Sequence, residues 1–128
     1  MTFAKIVLWL FGLITLAFGA YSLVAPEQLA QLTQYDLRSS GAITEIRAFY
    51  GGLELGLAAF WIAGALKPSL LRAALVSMIL VWSAVAASRV FGLIIDDSLT
   101  STMIIVLVSE VLGAALAFIA LQRLPASP

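Results

Sequence analysis

The 128-residue chain contains no cysteine and no histidine. Without cysteine there can be no disulfide, thiol nucleophile, iron–sulfur cluster or thiolate zinc site. Without histidine the commonest metal ligand, the usual haem ligand and the proton shuttle of neutral pH are missing too. Charge is also scarce, at 11% of residues against about 25% in ordinary soluble domains. Seven basic and seven acidic residues cancel, and there is no basic run, so nucleic acid has no electrostatic foothold. These absences argue against redox chemistry, zinc hydrolysis, a metal or other cofactor, and a nucleic-acid partner.

Hydrocarbon fills the chain instead. Hydrophobic residues make up 62%, and mean hydropathy is +1.09. A transmembrane helix needs about 20 mostly apolar residues. Four stretches qualify: Ile6 to Val24 without a charge, Ala48 to Leu66 with Glu54, Ala73 to Ile95 with Arg89, and Leu99 to Leu121 with Glu110. Lys5 before an apolar run resembles the start of a signal peptide. The run is too long for one, however, and no clean small-x-small cleavage site precedes Pro26, so it reads as a retained helix. The expected fold is all-α, a single four-transmembrane-helix domain spanning residues 1–128.

The Lys/Arg distribution predicts orientation. Lys5, Lys67, Arg72 and Arg123 fall on one side with no acid, whereas Glu27, Asp36, Glu45, Asp96 and Asp97 fall on the other, beside Arg38 and the membrane-edge Arg47. Both termini are therefore expected in the cytoplasm. Trp9 and Trp61 near one boundary, with Tyr21 and Tyr50 near the other, read as aromatic belts.

The first connection, Ala25 to Thr44, is long for a helical bundle. Pro26-Glu27 reads as a helix start, with Leu29, Leu32 and Leu37 turned to the lipid surface and Ser39-Ser40-Gly41 breaking the segment before the second span. This predicts a short interfacial helix covering the outer end; a lid over an outward-opening cavity is the sharper alternative. Asp96-Asp97-Ser98 forms a short link whose acids suit the N-terminus of the fourth helix. Small residues at four-residue spacing, such as Thr15/Gly19, Gly52/Gly56, Ala84/Ser88 and Gly113/Ala117, suit close helix contact within the chain or across a homo-oligomer. Leu55-Gly56 and Leu112-Gly113, each following a glutamate, are a faint echo between the second and fourth spans.

A charge at the centre of a membrane helix costs roughly 2.5–3.5 kcal/mol on insertion-based scales, so Arg47, Glu54, Arg89 and Glu110 are the residues to explain. Seven-residue spacing puts Arg47 and Glu54 on one face of the second span, and Arg89 and Asp96 on one face of the third. Tyr50 and the mid-span Trp82 complete a candidate polar cluster. One reading is an interhelical clamp in which the planar guanidinium of Arg89 holds Glu54 and Glu110 together. The other is a polar pocket, open to the outer leaflet, for a lipid or small amphiphile. No residue is assigned a catalytic or metal-binding role.

The segment Glu45-Ile46-Arg47-Ala48-Phe49-Tyr50-Gly51-Gly52-Leu53-Glu54-Leu55-Gly56 resembles the signature of a family of small bacterial four-helix membrane proteins catalogued as a domain of unknown function, itself distantly similar to the DoxX-like membrane proteins. The resemblance runs over nearly the whole chain through Arg47, Tyr50, Gly51, Gly52, Arg89, Asp96 and Glu110. Asp96-Asp97 stands where relatives often have Asp-Gly. The resemblance implies a multi-pass protein of the bacterial inner membrane and brings no activity with it. Three functions follow as expectations: a non-enzymatic membrane protein binding a lipid or small amphiphile, a small proton-coupled exporter working as a dimer, and a lipid-modifying enzyme using Glu54 or Glu110 with Tyr50. The first is preferred, and catalysis is disfavoured.

Overall fold

Prolines and hydroxyl side chains punctuate the described residues into five helices. The computed structural model describes residues 2–125, with α1 at Phe3–Val24, α2 at Pro26–Thr33, α3 at Ser40–Leu66, α4 at Pro68–Ile95 and α5 at Ser101–Gln122. No strand occurs among the described residues. Pro26 and Pro68 open α2 and α4, where a missing N–H costs nothing. The Ser39 hydroxyl accepts from the Ala42 N–H at 3.2 Å to open α3, and Thr100 accepts from Met103 at 3.3 Å to open α5. Four of the helices, α1, α3, α4 and α5, are long and apolar enough to cross a membrane.

Two local expectations change. Ser39-Ser40-Gly41 does not separate the loop from the second span; it starts that helix, because Ser39 acts as its N-cap. Asp96-Asp97 does not cap α5. Asp96 closes α4 through its own N–H to the Gly92 carbonyl at 2.8 Å, Asp97 turns the chain at φ 45°, and Thr100 does the capping.

The chain divides into two compact units, one of residues Trp9–Ile62 and one formed by the residues up to Leu8 with those from Ala63 onward. In the Trp9–Ile62 unit α1 lies against α3 at glycines. A Cβ on Gly19 would fall 3.0 Å from the Leu55 nitrogen and 3.1 Å from the Gly51 carbonyl oxygen, so a side chain there would have to push the α3 backbone away by a few tenths of an ångström. Thr15, one turn earlier, is buried on the same face. Leu29 and Ala30 of α2 are buried with Ile46, and Leu37 and Tyr50 pack on that cluster. Of the three leucines expected to face lipid, Leu29 is therefore interior and Leu37 half-buried, while Leu32 is exposed. Trp61 is fully buried, so it belongs to the interior and not to an aromatic belt. The end of α2 is a Schellman turn: Gln34 adopts a left-handed φ of 61°, with Tyr35 N–H donating to Ala30 at 2.8 Å and Gln34 N–H to Gln31 at 3.4 Å.

The middle of α3 departs from α geometry. Residues Arg47–Leu53 form a π-helix, with bonds reaching five residues back instead of four. The sequence here is Arg-Ala-Phe-Tyr-Gly-Gly-Leu, the heart of the segment that carries the family resemblance.

In the other unit α4 and α5 run antiparallel and pack along their length. The buried face of α5 is Glu110, Gly113, Ala117 and Ala120, a helical spacing of small side chains interrupted by one acid. A Cβ on Gly64 would fall 2.3 Å from the Ala74 Cβ, which shows how closely the end of α3 approaches α4. Arg72 donates to the Pro125 carbonyl at 2.6 Å, and the Arg123 guanidinium sits 4.9 Å above the Phe3 ring.

Candidate functional site

The candidate residues divide between the units. Arg47, Tyr50 and Glu54 belong to the Trp9–Ile62 unit, and Trp82, Arg89, Asp96 and Glu110 to the other.

In the second group the structure brings Arg89 and Glu110 together. Glu110 lies on the buried face of α5 with only 1% of its surface exposed. The Arg89 Nε lies 2.9 and 3.0 Å from the two carboxylate oxygens, and Nη2 lies 2.5 Å from one of them. Nη1 donates to the Met103 sulfur at 3.4 Å. Two parallel N–H···O⁻ bonds from one edge of a guanidinium are the strongest arrangement this pair has, and burial removes the water that would compete. Asp96, seven residues beyond Arg89, is exposed past the end of α4, and Trp82 is half-buried within α4. Met103 was missed by sequence reasoning. Its signal was its position seven residues before Glu110, on the same helical face.

A shallow apolar groove of about 360 Å³ runs between α4 and α5, lined by Ile79, Ser83 and Ala86 from one and Val111, Ala115 and Phe118 from the other. Ala86 and Val111 are three and one residues from Arg89 and Glu110 in sequence, and the two charged residues are not themselves part of the lining. Small side chains, Ser83, Ala86 and Ala115, make the space, and Ile79 and Phe118 are the bulkier lining residues at the end away from the ion pair.

In the first group Arg47 donates through Nη1 to the Leu23 carbonyl in the last turn of α1. That oxygen has no partner further along its own helix, so Arg47 acts as a C-terminal cap from another element. Tyr50 meets Tyr35 hydroxyl to hydroxyl at 2.8 Å and sets its ring edge-on to Phe18 at 6.4 Å between centroids. The Glu54 Cβ lies against α1, 3.1 Å from where a Gly19 Cβ would be. Tyr35 also went unpredicted. It reaches Tyr50 because of the left-handed Gln34, which no glycine or asparagine announces.

Four long apolar helices, one of them carrying a fully buried glutamate matched to an arginine on its neighbour, define a multi-pass membrane protein. Over residues 3–121 the chain matches the model of the family described as Domain of unknown function (DUF4345), and it belongs to that family. Neither a curated protein nor a solved structure matches it.

Proposed function

We propose that this chain is a non-enzymatic protein of the bacterial inner membrane, with both termini cytoplasmic, that holds a lipid or small amphiphile beside the Arg89–Glu110 pair. The pair clamps α4 to α5 and the groove next to it takes the apolar tail. The observation that carries the reading is that one helix pair holds both features: the buried Arg89–Glu110 ion pair, and an open apolar groove whose lining includes Ala86 and Val111, three and one residues away from it in sequence. An amphiphile has that division of polarity, and pockets for such ligands are mostly apolar with a few placed polar groups. The absence of histidine and cysteine supports a binding role over a catalytic one. The bias of Lys and Arg toward the side of Lys5, Lys67, Arg72 and Arg123 supports the orientation.

Native mass spectrometry from mild detergent tests the reading. Wild-type protein should carry a co-purifying lipid or amphiphile, and Ala86→Trp, which fills the groove, should lose it while keeping its helical circular dichroism. Wild-type protein that never retains a ligand would sink the proposal.

A further inference from the structure

Arg47 and Arg89 have the same side chain and opposite circumstances. Arg89 spends the Nε–Nη2 edge of its guanidinium on Glu110 within the chain. Arg47 spends Nη1 on the Leu23 carbonyl, and among the described residues no carboxylate lies within ion-pair range of it. A guanidinium carries five N–H donors and cannot lose its charge. The Nε–Nη2 edge of Arg47, the edge that engages two oxygens of one oxyanion in parallel, therefore has no acceptor among the described residues.

Depth and surroundings say what kind of oxyanion fits. From Arg47 to Leu66 helix α3 runs for about 20 residues, the length that crosses the hydrocarbon core, which puts Arg47 at the headgroup level. The backbone that Arg47 grips belongs to apolar residues turned outward: Leu23 is 40% exposed and its neighbour Val24 78%. Nη1 is fixed on the α1 terminus, so the side chain is held in place before any ligand arrives. At that level a guanidinium meets the phosphate layer of the bilayer, and an anion that brings its own hydrocarbon matches both the free edge and the apolar surface beside it.

We infer that Arg47 is a binding site for the phosphate of an anionic phospholipid, with the acyl chains lying along Leu23 and Val24. The site is separate from the α4–α5 groove and does not rest on the reading given for it. Phosphate is the shared chemistry of a lipid headgroup and of free inorganic phosphate, and the hydrocarbon beside Arg47 favours the lipid.

The test is lipid titration by native mass spectrometry on the full chain, with phosphatidylglycerol, phosphatidylcholine and inorganic phosphate as probes. Wild-type protein should bind phosphatidylglycerol about tenfold more tightly than Arg47→Gln does, as loss of a charge-assisted hydrogen bond predicts, with Arg47→Lys between them. Millimolar inorganic phosphate should fail to displace the lipid; displacement would make free phosphate the ligand and overturn the lipid assignment. Equal phosphatidylglycerol binding by Arg47→Gln and wild type would overturn the site. Because Arg47 also caps α1, its variants can lose stability, so a photoreactive phosphatidylglycerol is crosslinked to wild-type protein in parallel. Crosslinks should map to residues 21–25 and 47–50, and crosslinks confined to other segments would equally overturn the proposal. A wild-type protein that keeps this site while the Ala86→Trp variant shows no change at the groove separates the two readings.

Discussion

Arg89 and Glu110 meet edge to edge, with Nε shared between both carboxylate oxygens and the glutamate almost wholly withdrawn from the surface. Removing one partner of such a pair leaves the other as an uncompensated charge. Glu110→Ala should therefore cost about 3–5 kcal/mol of stability in detergent, nearer the lower figure because a quarter of the Arg89 side chain is accessible. Glu110→Gln keeps a hydrogen-bond acceptor and should cost less. Chemical denaturation followed by circular dichroism ranks the variants, and a Glu110→Ala protein as stable as the parent would remove the pair from any account of what holds α4 to α5.

Glycines in this chain are of two kinds, and alanine should tell them apart. Gly64→Ala puts a methyl 2.3 Å from the Ala74 Cβ and should destabilise by about 1–3 kcal/mol. Adding Ala74→Gly should recover most of that loss, which a double-mutant cycle measures. Gly56→Ala meets nothing within 4 Å and should be neutral or stabilising by up to about 1 kcal/mol, the helix-propensity gain. A Gly56→Ala protein that folds but changes its oligomeric mass would show that a second copy uses that face.

Thr15 carries a buried hydroxyl with no hydrogen-bond partner among the described residues. Valine has the same shape without the polar atom. Thr15→Val is expected to raise stability by about 1 kcal/mol or more, since an unsatisfied buried group costs roughly that much. A fall in melting temperature would mean the hydroxyl is engaged.

At the start of α5 the hydroxyl of Thr100, and neither aspartate, meets the free N–H groups. Thr100→Ala should cost about 1 kcal/mol. Asp97→Asn should cost less, because Asp97 contributes a turn at positive φ that asparagine also adopts. Equal losses from the two substitutions would restore the acids to the capping role the sequence suggested.

The spans were legible because hydrocarbon thickness is a strong length filter, so Ile6 to Val24 and Leu99 to Leu121 fall within three residues of helices α1 and α5 at every end. Arg89 and Glu110 were legible as costly residues, since few forces place a charge in a span. Their pairing was one of two readings, in a clamp that also took in Glu54, because composition says nothing of which faces meet. The loop resisted reading for another reason. Leu29 looks as suited to lipid as Leu32, and it is the packing of Ile46, a residue of the next helix, that covers Leu29 and leaves Leu32 exposed. The role of Arg47 as a cap on α1 depends on a carbonyl, and a carbonyl leaves no mark in a sequence.

The π-helix of α3 gives that span a spare residue. Each wide turn stores one more position than an α turn, so the chain there can be shortened by a link without turning the flanking faces, whereas a link lost elsewhere rotates everything beyond it by about 100°. Deleting exposed Gly52 should yield a folded protein with an ordinary α-helix in its place, while deleting exposed Ala59 should not, as comparison of their yields and melting curves would show. On that footing the Arg-Ala-Phe-Tyr-Gly-Gly-Leu segment is where this chain tolerates a change of length inside a membrane, a place where most helices have no slack.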